Sequence, residues 1–461
     1  MVRPWVLAVL IACKNDPAPP KAQPAAPAIP DPCVKTKPVG QMQWIEDDYA
    51  AAVACAKQQK KPIVVDLWAP WCHTCLSMQT TVFTDASFAG ERDKFVWLAM
   101  DTDREQNAAA LQKLATSAWP TFYVLGIDES VLARFVGAAS VPQFHEFLAA
   151  GVAAQAGGGA AADARLLGAE RALALKDYDA ADSELAAALT AAPKDWARRP
   201  ELLNSMILTK FKKRDDAGCL AIADEHMDET GTAAAASDFL VTAMSCAENR
   251  VKEDPDRVKA LRERAVTRWK ALLADPKAQL SVDDRSDAMA SLREALDALG
   301  KKDEAKQIAE QQRALLDDAA AKAPDPLAAM TYNWPRAEVY VYLGKPLDLV
   351  PALEKSAKDL PTEYDPPARL GWIYFKAGKL PEAAQWTDKA LTMVYGPRKG
   401  RLLTQRADIA AAAGDKTAER SFRDAAVKLY QSLPAGQQAP DALAKAKQAL
   451  ADTGSGGSAA P

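Results

Sequence analysis

Residues 61–75, KPIVVDLWAPWCHTC, constrain the fold of this chain more than any other stretch. The run from Ile63 to Leu67 is apolar and β-branched apart from one aspartate, which is typical of a buried strand. Cys72 and Cys75 follow it, and the next residues, LSMQTTVF, can begin a helix. Because a helix N-terminus stabilises a thiolate, we expect Cys72 to be the more reactive thiol. The segment therefore predicts a redox-active cysteine pair at a strand-to-helix junction.

Two other uses of a Cys-x-x-Cys pair have to be weighed. Haem attachment requires a histidine after the second cysteine, and Leu76 occupies that position. Cys72, His73 and Cys75 could supply three zinc ligands, but the sequence has no second Cys-x-x-Cys or histidine pair to complete a four-ligand site. We therefore expect no metal, and no cofactor other than the Cys72–Cys75 disulfide itself.

With its strand and tryptophans, VDLWAPWCHTC resembles the active-site segment of the thioredoxin superfamily. The resemblance covers about residues 42–152 and continues through SAWPTFYVLG, where Pro120 matches that family's cis-proline. The stretch TVFTD at 81–85 is similar to the periplasmic C-terminal domain of the DsbD electron carrier and its soluble relatives. Thr80 stands where other thioredoxins carry a helix-kinking proline. The resemblance implies an α/β thioredoxin fold and thiol–disulfide exchange.

The predicted chemistry assigns a role to four residues. Cys72 attacks a disulfide, and Cys75 resolves the mixed disulfide that results. Asp66 matches the superfamily's buried carboxylate, which accepts the proton of the second cysteine; the alternative is an aspartate whose charge is satisfied by the backbone. A protonated His73 would favour the Cys72 thiolate.

Three further residues are expected around the cysteines. A cis bond before Pro120 would leave the backbone of Trp119 open to pair with a substrate strand. Trp71 and Trp119 are predicted to flank the site and to contact the substrate. As ordinary core aromatics, the two tryptophans would need no function.

The first residues of the chain are typical of a bacterial lipoprotein signal. Arg3 precedes eight apolar residues, too few to span a bilayer, which needs about 20. The sequence LIAC resembles a lipobox, which implies that Cys13 is acylated; the alternative is a chance cysteine after a short apolar run. We expect a protein of the bacterial cell envelope that faces the periplasm and is attached to the membrane by its lipid.

The second half of the chain is predicted to be helical throughout. Gly344 and Gly378 lie 34 residues apart, and LGWIYFKAGKLPEAAQWTDKAL at 370–391 resembles a tetratricopeptide repeat. The resemblance implies an all-α repeat array, irregular in register, that docks a partner protein. The expected divisions of the chain are a signal peptide (1–12), a Pro/Ala-rich tether (13–41), a thioredoxin-like domain (42–152), helical repeats (163–450) and a disordered tail (451–461).

Three cysteines outside the pair also give predictions. Cys219 and Cys246 lie on consecutive predicted helices at equal distances from the turn at 231–233, so they can meet on an antiparallel helix pair. An oxidising envelope favours a structural bridge between them. Cys55, on the first predicted helix, is interpreted as a small buried side chain.

The net charge of −4, from 57 basic and 61 acidic residues, gives no reason to expect nucleic acid as a partner. We expect an envelope thiol–disulfide oxidoreductase whose partners are proteins with disulfides or thiols and an electron donor. The DsbD-like resemblance favours reduction, whereas a histidine beside Cys72 favours a more oxidising potential. The alternative is an adaptor or scaffold lipoprotein in which the thioredoxin fold is an auxiliary module.

Overall fold

The computed structural model describes residues 1, 31–34, 36–116, 118–158 and 160–453. The predicted lipidation site, Cys13, and most of the predicted disordered tail lie outside the described residues. Within them, every helix is too short or too polar to cross a lipid bilayer.

The first part of the chain is built on a six-stranded mixed sheet with the order β1-β2-β4-β3-β5-β6. The central strand, β3, pairs in parallel with β4 and antiparallel with β5. Its residues are almost all buried because elements cover both faces of the sheet, which explains the continuous apolar run in the sequence. The strands are β1 (Lys37–Val39), β2 (Met42–Glu46), β3 (Ile63–Trp68), β4 (Val96–Asp101), β5 (Thr121–Leu125) and β6 (Val131–Val136).

Four helices flank this sheet: α1 (Tyr49–Gln59), α2 (His73–Ser77), α3 (Ala108–Leu111) and α4 (Val141–Gln155). Ser140 caps α4 with a capping box, as its sequence predicts. After α2 the helix widens into a π-helical turn at Met78–Val82, where the Thr80 hydroxyl donates to the carbonyl of Leu76 at 2.8 Å. The helix therefore departs from regular geometry here without the proline of other thioredoxins.

The sequence predicts a single helix that begins at Asp103-Arg104-Glu105 and runs to about Thr116. That prediction is wrong. Only a 3-10 turn and the four-residue α3 form there. The reason is tertiary: the amide of Ala115 donates to the carbonyl of Ala174, and the Ala115 carbonyl accepts from the Tyr123 hydroxyl at 2.7 Å. These bonds take the backbone groups that a continuing helix would need.

Cys55 is buried, as interpreted from the sequence, but it is more than a small packing residue, because the structure joins it to Cys33 in a disulfide. Cys33 lies in the stretch assigned to the tether, and so does β1, which pairs antiparallel with β2. Ordered structure therefore begins before residue 42. Sequence alone missed this because a three-residue edge strand and a single cysteine leave no periodic pattern.

The remaining helices follow one another from residue 161 to residue 452. Gly344 and Gly378 end their helices with positive φ angles of 71° and 72°, the left-handed conformation that glycine adopts most readily. Ala181, Ala305 and Ala383 are fully buried, as expected where paired helices approach closely. The helices are α5 (Ala161–Ala174), α6 (Tyr178–Ala191), α7 (Arg199–Lys212), α8 (Asp216–His226), α9 (Ala234–Arg250), α10 (Pro255–Ala274), α11 (Val282–Ala298), α12 (Lys302–Lys322), α13 (Pro326–Met330), α14 (Asn333–Tyr342), α15 (Val350–Asp359), α16 (Asp365–Lys376), α17 (Leu380–Leu391), α18 (Gly396–Ala412), α19 (Lys416–Ser432) and α20 (Pro440–Asp452).

Cys219 on α8 and Cys246 on α9 form a disulfide within this array. The two cysteines are 27 residues apart in the sequence, and in the loop-entropy model a bridge that closes such a loop contributes about 3 to 4 kcal/mol to stability.

We expect the double variant Cys219→Ala/Cys246→Ala to have a free energy of unfolding lower by about 3 to 4 kcal/mol, measured by urea unfolding. Non-reducing peptide mapping of the unmodified protein should find the two peptides linked. Two freely alkylated thiols in the folded protein would contradict the assignment.

The array wraps around the sheet domain instead of standing apart from it. The Arg171 side chain on α5 donates to the carbonyl of Val131 at 3.0 Å, and Gln437, close to the end of the array, donates to the carbonyl of Thr102 at 2.8 Å. Gly396, at the start of α18, lies so close to the domain that a Cβ atom would stand 2.1 Å from the carbonyl oxygen of Asp103. The predicted fold class, an α/β domain followed by an all-α array, is confirmed. The short connection between them does not leave the two parts independent.

Candidate active site

The two cysteines of the predicted pair form a disulfide at the N-terminus of α2. Cys72 caps the helix, and its Sγ accepts a hydrogen bond from the backbone amide of Cys75 at 3.0 Å. In the reduced protein, the same amide and the positive end of the helix would stabilise a thiolate on Cys72. Cys72 is 4% exposed and Cys75 1%. A partner can therefore reach Cys72 only through the space between the domain and the array.

Trp71 and Trp119 both line the cavity that reaches Cys72, and their rings pack edge to face with centroids 5.1 Å apart. Each indole nitrogen is anchored: that of Trp71 donates to Asp103 at 2.7 Å, and that of Trp119 donates to the Thr102 hydroxyl at 2.8 Å. The bond between Trp119 and Pro120 is cis, as the resemblance implied. The structure thus brings the two predicted aromatic residues and the predicted proline to the cysteines.

Asp66 lies on β3, is 2% exposed, and its Oδ1 has no hydrogen-bond partner. Burial raises the pKa of its carboxyl group to about 8, so it is largely protonated at neutral pH. Asp66 also lines a cavity of about 90 Å³ together with Leu76 of α2 and Gln79 of the π-helical turn that follows it. A carboxyl group with this pKa can take up and release a proton near neutral pH, as the predicted role requires.

His73, between the two cysteines, faces the array. Its Nδ1 lies 3.0 and 2.9 Å from the two carboxylate oxygens of Asp283, on α11. Burial alone would lower the pKa of His73, but the charges of Asp283 and Asp287 outweigh it and raise the pKa to about 10. The imidazole is therefore cationic at neutral pH, and Asp283 offsets its charge.

One group of side chains in the described part of the chain has ligating atoms placed so that they could hold a metal ion, and its members are His73, Asp283 and Asp287. The ligating atoms of His73, Asp283 and Asp287 lie within 4.8 Å of one another. This set differs from the Cys72, His73 and Cys75 set considered from the sequence. In the structure, His73 Nδ1 already contacts both oxygens of Asp283, so the geometry is that of an ion pair.

The array contributes a wall to the site that sequence reasoning missed. Arg369 on α16 donates to the carbonyl of Trp71 at 3.3 Å, and Arg398 on α18 stacks over the Trp71 ring at 4.9 Å. Together with Arg401, they line a cavity of about 540 Å³ that reaches Cys72. No local pattern could have identified these residues, because Arg369 and Trp71 are 298 positions apart in the sequence.

Comparisons with known proteins agree with this arrangement. Residues 44–126 match the family model described as thioredoxin-like. The chain is similar to the protein named thiol:disulfide interchange protein DsbD from Vibrio vulnificus, strains CMCP6 and YJ016, with 39% identity over 54 residues. That match covers 12% of this chain and only 9% of the length of each relative.

Among solved structures, the chain is similar to a tetratricopeptide repeat protein from Parabacteroides merdae ATCC 43184, with a TM-score of 0.42 and 15% identity. The match covers 63% of this chain and 98% of that one. Residues 44–126, with the Cys72–Cys75 disulfide, thus match a thioredoxin-like family model, and an array of helices follows them.

Proposed function

We propose that this protein exchanges thiols and disulfides with other proteins through Cys72 and Cys75, in the direction of protein-disulfide reduction. The observation that carries the proposal is the Cys72–Cys75 disulfide at the N-terminus of α2, reached by a cavity between the domain and the array. A disulfide at a helix N-terminus is reactive because the leaving thiolate is stabilised there. The cavity gives this disulfide access to a partner while most of its surface stays covered.

The exchange proceeds in two steps. The Cys72 thiolate attacks one sulfur of the partner's disulfide, a Cys72–partner bond forms, and the partner's other sulfur leaves as a thiolate. In molecules in which Asp66 is ionised, a fraction set by its pKa of about 8, Cys75 passes its proton to the Asp66 carboxylate and attacks Cys72. The attack releases the partner's second sulfur as a thiolate and closes the Cys72–Cys75 disulfide. A protein dithiol then reduces this disulfide by the same exchange, so two electrons pass from the donor to the partner.

The His73–Asp283 pair supports the reducing direction. A lone imidazolium beside Cys72 would stabilise the thiolate, and hence the reduced protein, and would make the couple more oxidising. Here the carboxylate of Asp283, 2.9 Å from His73, offsets that charge. The array thus offsets the charge of His73, while its arginines place other positive charge in the cavity that Cys72 lines, so the proposed direction rests chiefly on the similarity to DsbD.

For the location, we propose the bacterial envelope, with the chain facing the periplasm and attached through a lipid on Cys13. The LIAC sequence supports the anchor. The disulfides Cys33–Cys55 and Cys219–Cys246 support an oxidising compartment, since structural disulfides are rare in the cytosol. An adaptor without redox activity would need neither Cys72 in a cavity nor a protonatable Asp66 beside the cysteine helix.

Trapping experiments test the assignment of the two cysteines. Cys75→Ser should accumulate mixed disulfides with partner proteins, because the second step is blocked, whereas Cys72→Ser should form none. Both variants should lose turnover of a model protein disulfide, supplied with a dithiol donor, to the uncatalysed background. The adducts are detected by mass spectrometry after acid quenching. Equal trapping by the two variants would contradict the assignment of Cys72 as the attacking thiol.

A further inference from the structure

Two cavities of opposite charge meet at the redox disulfide. The first, of about 540 Å³, is lined by Cys72 and by Arg369, Arg398 and Arg401 of the array, and is called the arginine cavity here. The second, of about 340 Å³, is lined by aspartates of α9 and α11 and is called the aspartate cavity. Both are lined by Thr74, Ala118 and Trp119, so the two cavities are adjacent. The residues that give the second cavity its charge are Asp238, Asp284 and Asp287.

The positive charge of the arginine cavity is only partly compensated. Arg369 forms an ion pair with Asp365 at 2.6 Å. Within the described residues, Arg398 and Arg401 have no carboxylate within ion-pair distance, and the Nε of Arg398 is buried without a hydrogen-bond partner. Burial, and then the charge of Arg369, lowers the pKa of Arg398 to about 10. An anionic group in this cavity would gain two unpaired guanidinium groups as partners.

The carboxyl groups nearest to these arginines do not cancel that charge. Burial raises the pKa of Asp103 to about 6, so it is mostly ionised at neutral pH, and its charge acts on Arg398 and Arg401 at longer range. Its Oδ2 already accepts the indole hydrogen bond of Trp71. Asp103 therefore offsets part of the positive charge from a distance, while the guanidinium groups of Arg398 and Arg401 keep no carboxylate in ion-pair contact among the described residues.

The walls of the arginine cavity fit a polypeptide. Trp334 and Trp372 pack with ring centroids 5.1 Å apart, and Arg369 stacks over Trp334 at 4.4 Å. This flat aromatic surface suits the side chains and backbone of a peptide that places a charge on the guanidinium groups. The aspartate cavity adjoins this one at Thr74, between the two cysteines, so a peptide is long enough to reach both cavities whereas a small molecule would occupy only one.

The aspartate cavity sets the polarity of the site. Burial and the charge of Asp284 raise the pKa of Asp238 to about 7, and burial also raises the pKa of Asp284 to about 6. Burial also raises the pKa of Asp287, so these carboxyl groups are partly protonated at neutral pH and give the cavity a partial negative charge. That charge disfavours an acidic residue and attracts a basic one. An extended segment is therefore held in one orientation by the two cavities.

We propose that the partner segment carries an acidic residue on one side of its reactive cysteine, bound by Arg398 and Arg401 in the arginine cavity, and no acidic residue on the side that meets the aspartate cavity. This inference rests on the proposed exchange at Cys72 and adds the class of its substrate. The array presents the guanidinium groups in the cavity that Cys72 lines, so the charge of a partner segment decides how well it binds at this covered site.

Isomeric peptides test the inference with the full-length reduced protein. Each peptide carries one cysteine as a mixed disulfide with 2-thiopyridine. One has acidic residues before the cysteine and lysines after it, the second has the reverse order, and the third has serines throughout. The release of pyridine-2-thione reports attack on the peptide sulfur. We expect one charged isomer to react about tenfold faster than the serine peptide and the other more slowly, with the difference shrinking in 0.5 M salt.

Variants at one exposed position connect the preference to the arginines. Arg401→Gln should slow the favoured isomer about fivefold, as expected for one solvent-accessible ion pair, and Arg401→Glu should reverse the ranking of the two isomers. Lys399→Gln removes a charge from the same helix at a residue outside the cavity lining, and should leave the ranking unchanged.

The outcomes separate this inference from the proposed function. Equal rates for all three peptides, or a ranking that persists in Arg401→Glu, would overturn the inference and leave thiol exchange intact. Failure of the reduced protein to react with any of the peptides, the serine peptide included, would instead contradict the proposed function.

Discussion

Replacing Asp66 by asparagine should raise the free energy of unfolding at pH 8 by about 4 kcal/mol, because the folded protein no longer has to hold a proton that the unfolded chain releases. Asp66 is 2% exposed, and burial raises its pKa from 3.8 to about 8. Between pH 3.8 and about pH 8, the carboxyl group of Asp66 keeps its proton in the folded state and loses it in the unfolded state. The folded state therefore binds more protons, and its stability falls as the pH rises from about 4 to about 8.

The size of the effect follows from the same shift. One pKa unit corresponds to about 1.4 kcal/mol, so a shift of about four units sets an upper limit of about 6 kcal/mol. Asp66→Asn should match the unmodified protein near pH 4 and exceed it increasingly up to pH 8. Urea unfolding across this range, followed by tryptophan fluorescence, measures the difference. Other buried acids, such as Asp101 and Asp238, titrate in both proteins and cancel in the comparison. Parallel stability curves for the two proteins would contradict this account of Asp66.

The same substitution should impair the chemistry. Without a carboxyl group to accept the proton of Cys75, the mixed disulfide on Cys72 should persist about a hundredfold longer, the usual range for loss of a general base. Rapid acid quenching and mass spectrometry give this lifetime. A variant that is both more stable and slower would show that the buried carboxyl group is retained for exchange, at a cost in stability.

The second large effect is expected at His73. His73→Gln leaves Asp283, which is 1% exposed, without its partner, and loss of one member of a buried pair typically costs about 3 to 5 kcal/mol. Because the imidazole is 21% exposed, we expect about 3 kcal/mol, near the lower end. The double variant His73→Gln/Asp283→Asn should recover most of this loss, since it removes both charges. Urea unfolding of the four proteins of this cycle gives the coupling free energy.

The pH dependence gives this prediction a definite sign. The folded pKa of His73, about 10, exceeds its ordinary value of 6.5, so the pair contributes fully below about pH 6.5 and its contribution disappears as the pH rises to about 10. The gap between His73→Gln and the unmodified protein should therefore be larger at pH 6.5 than at pH 10. A gap that stays constant, or widens with pH, would show that the ion pair does not account for the stability.

Local patterns in the sequence determined the reactive centre. The apolar run of β3, the Cys72–Cys75 spacing and Pro120 lie within short segments, and the hydrogen bonds that form a strand-to-helix junction are themselves local. The helical array was predictable for the same reason, because Gly344 and Gly378 end helices through their own backbone preferences. Even the pairing of Cys219 with Cys246 followed from two adjacent helices and one turn.

Only the tertiary structure decided what surrounds Cys72. His73 and Asp283 are 210 residues apart, and nothing in either neighbourhood indicates that they meet. Likewise, the helix predicted at 103–116 was lost to hydrogen bonds with Tyr123 and the first array helix. Such contacts depend on how entire helices pack against the sheet. Burial and charge act through space, so the pKa of His73 and the positive charge beside Cys72 arise only once the array has folded onto the domain.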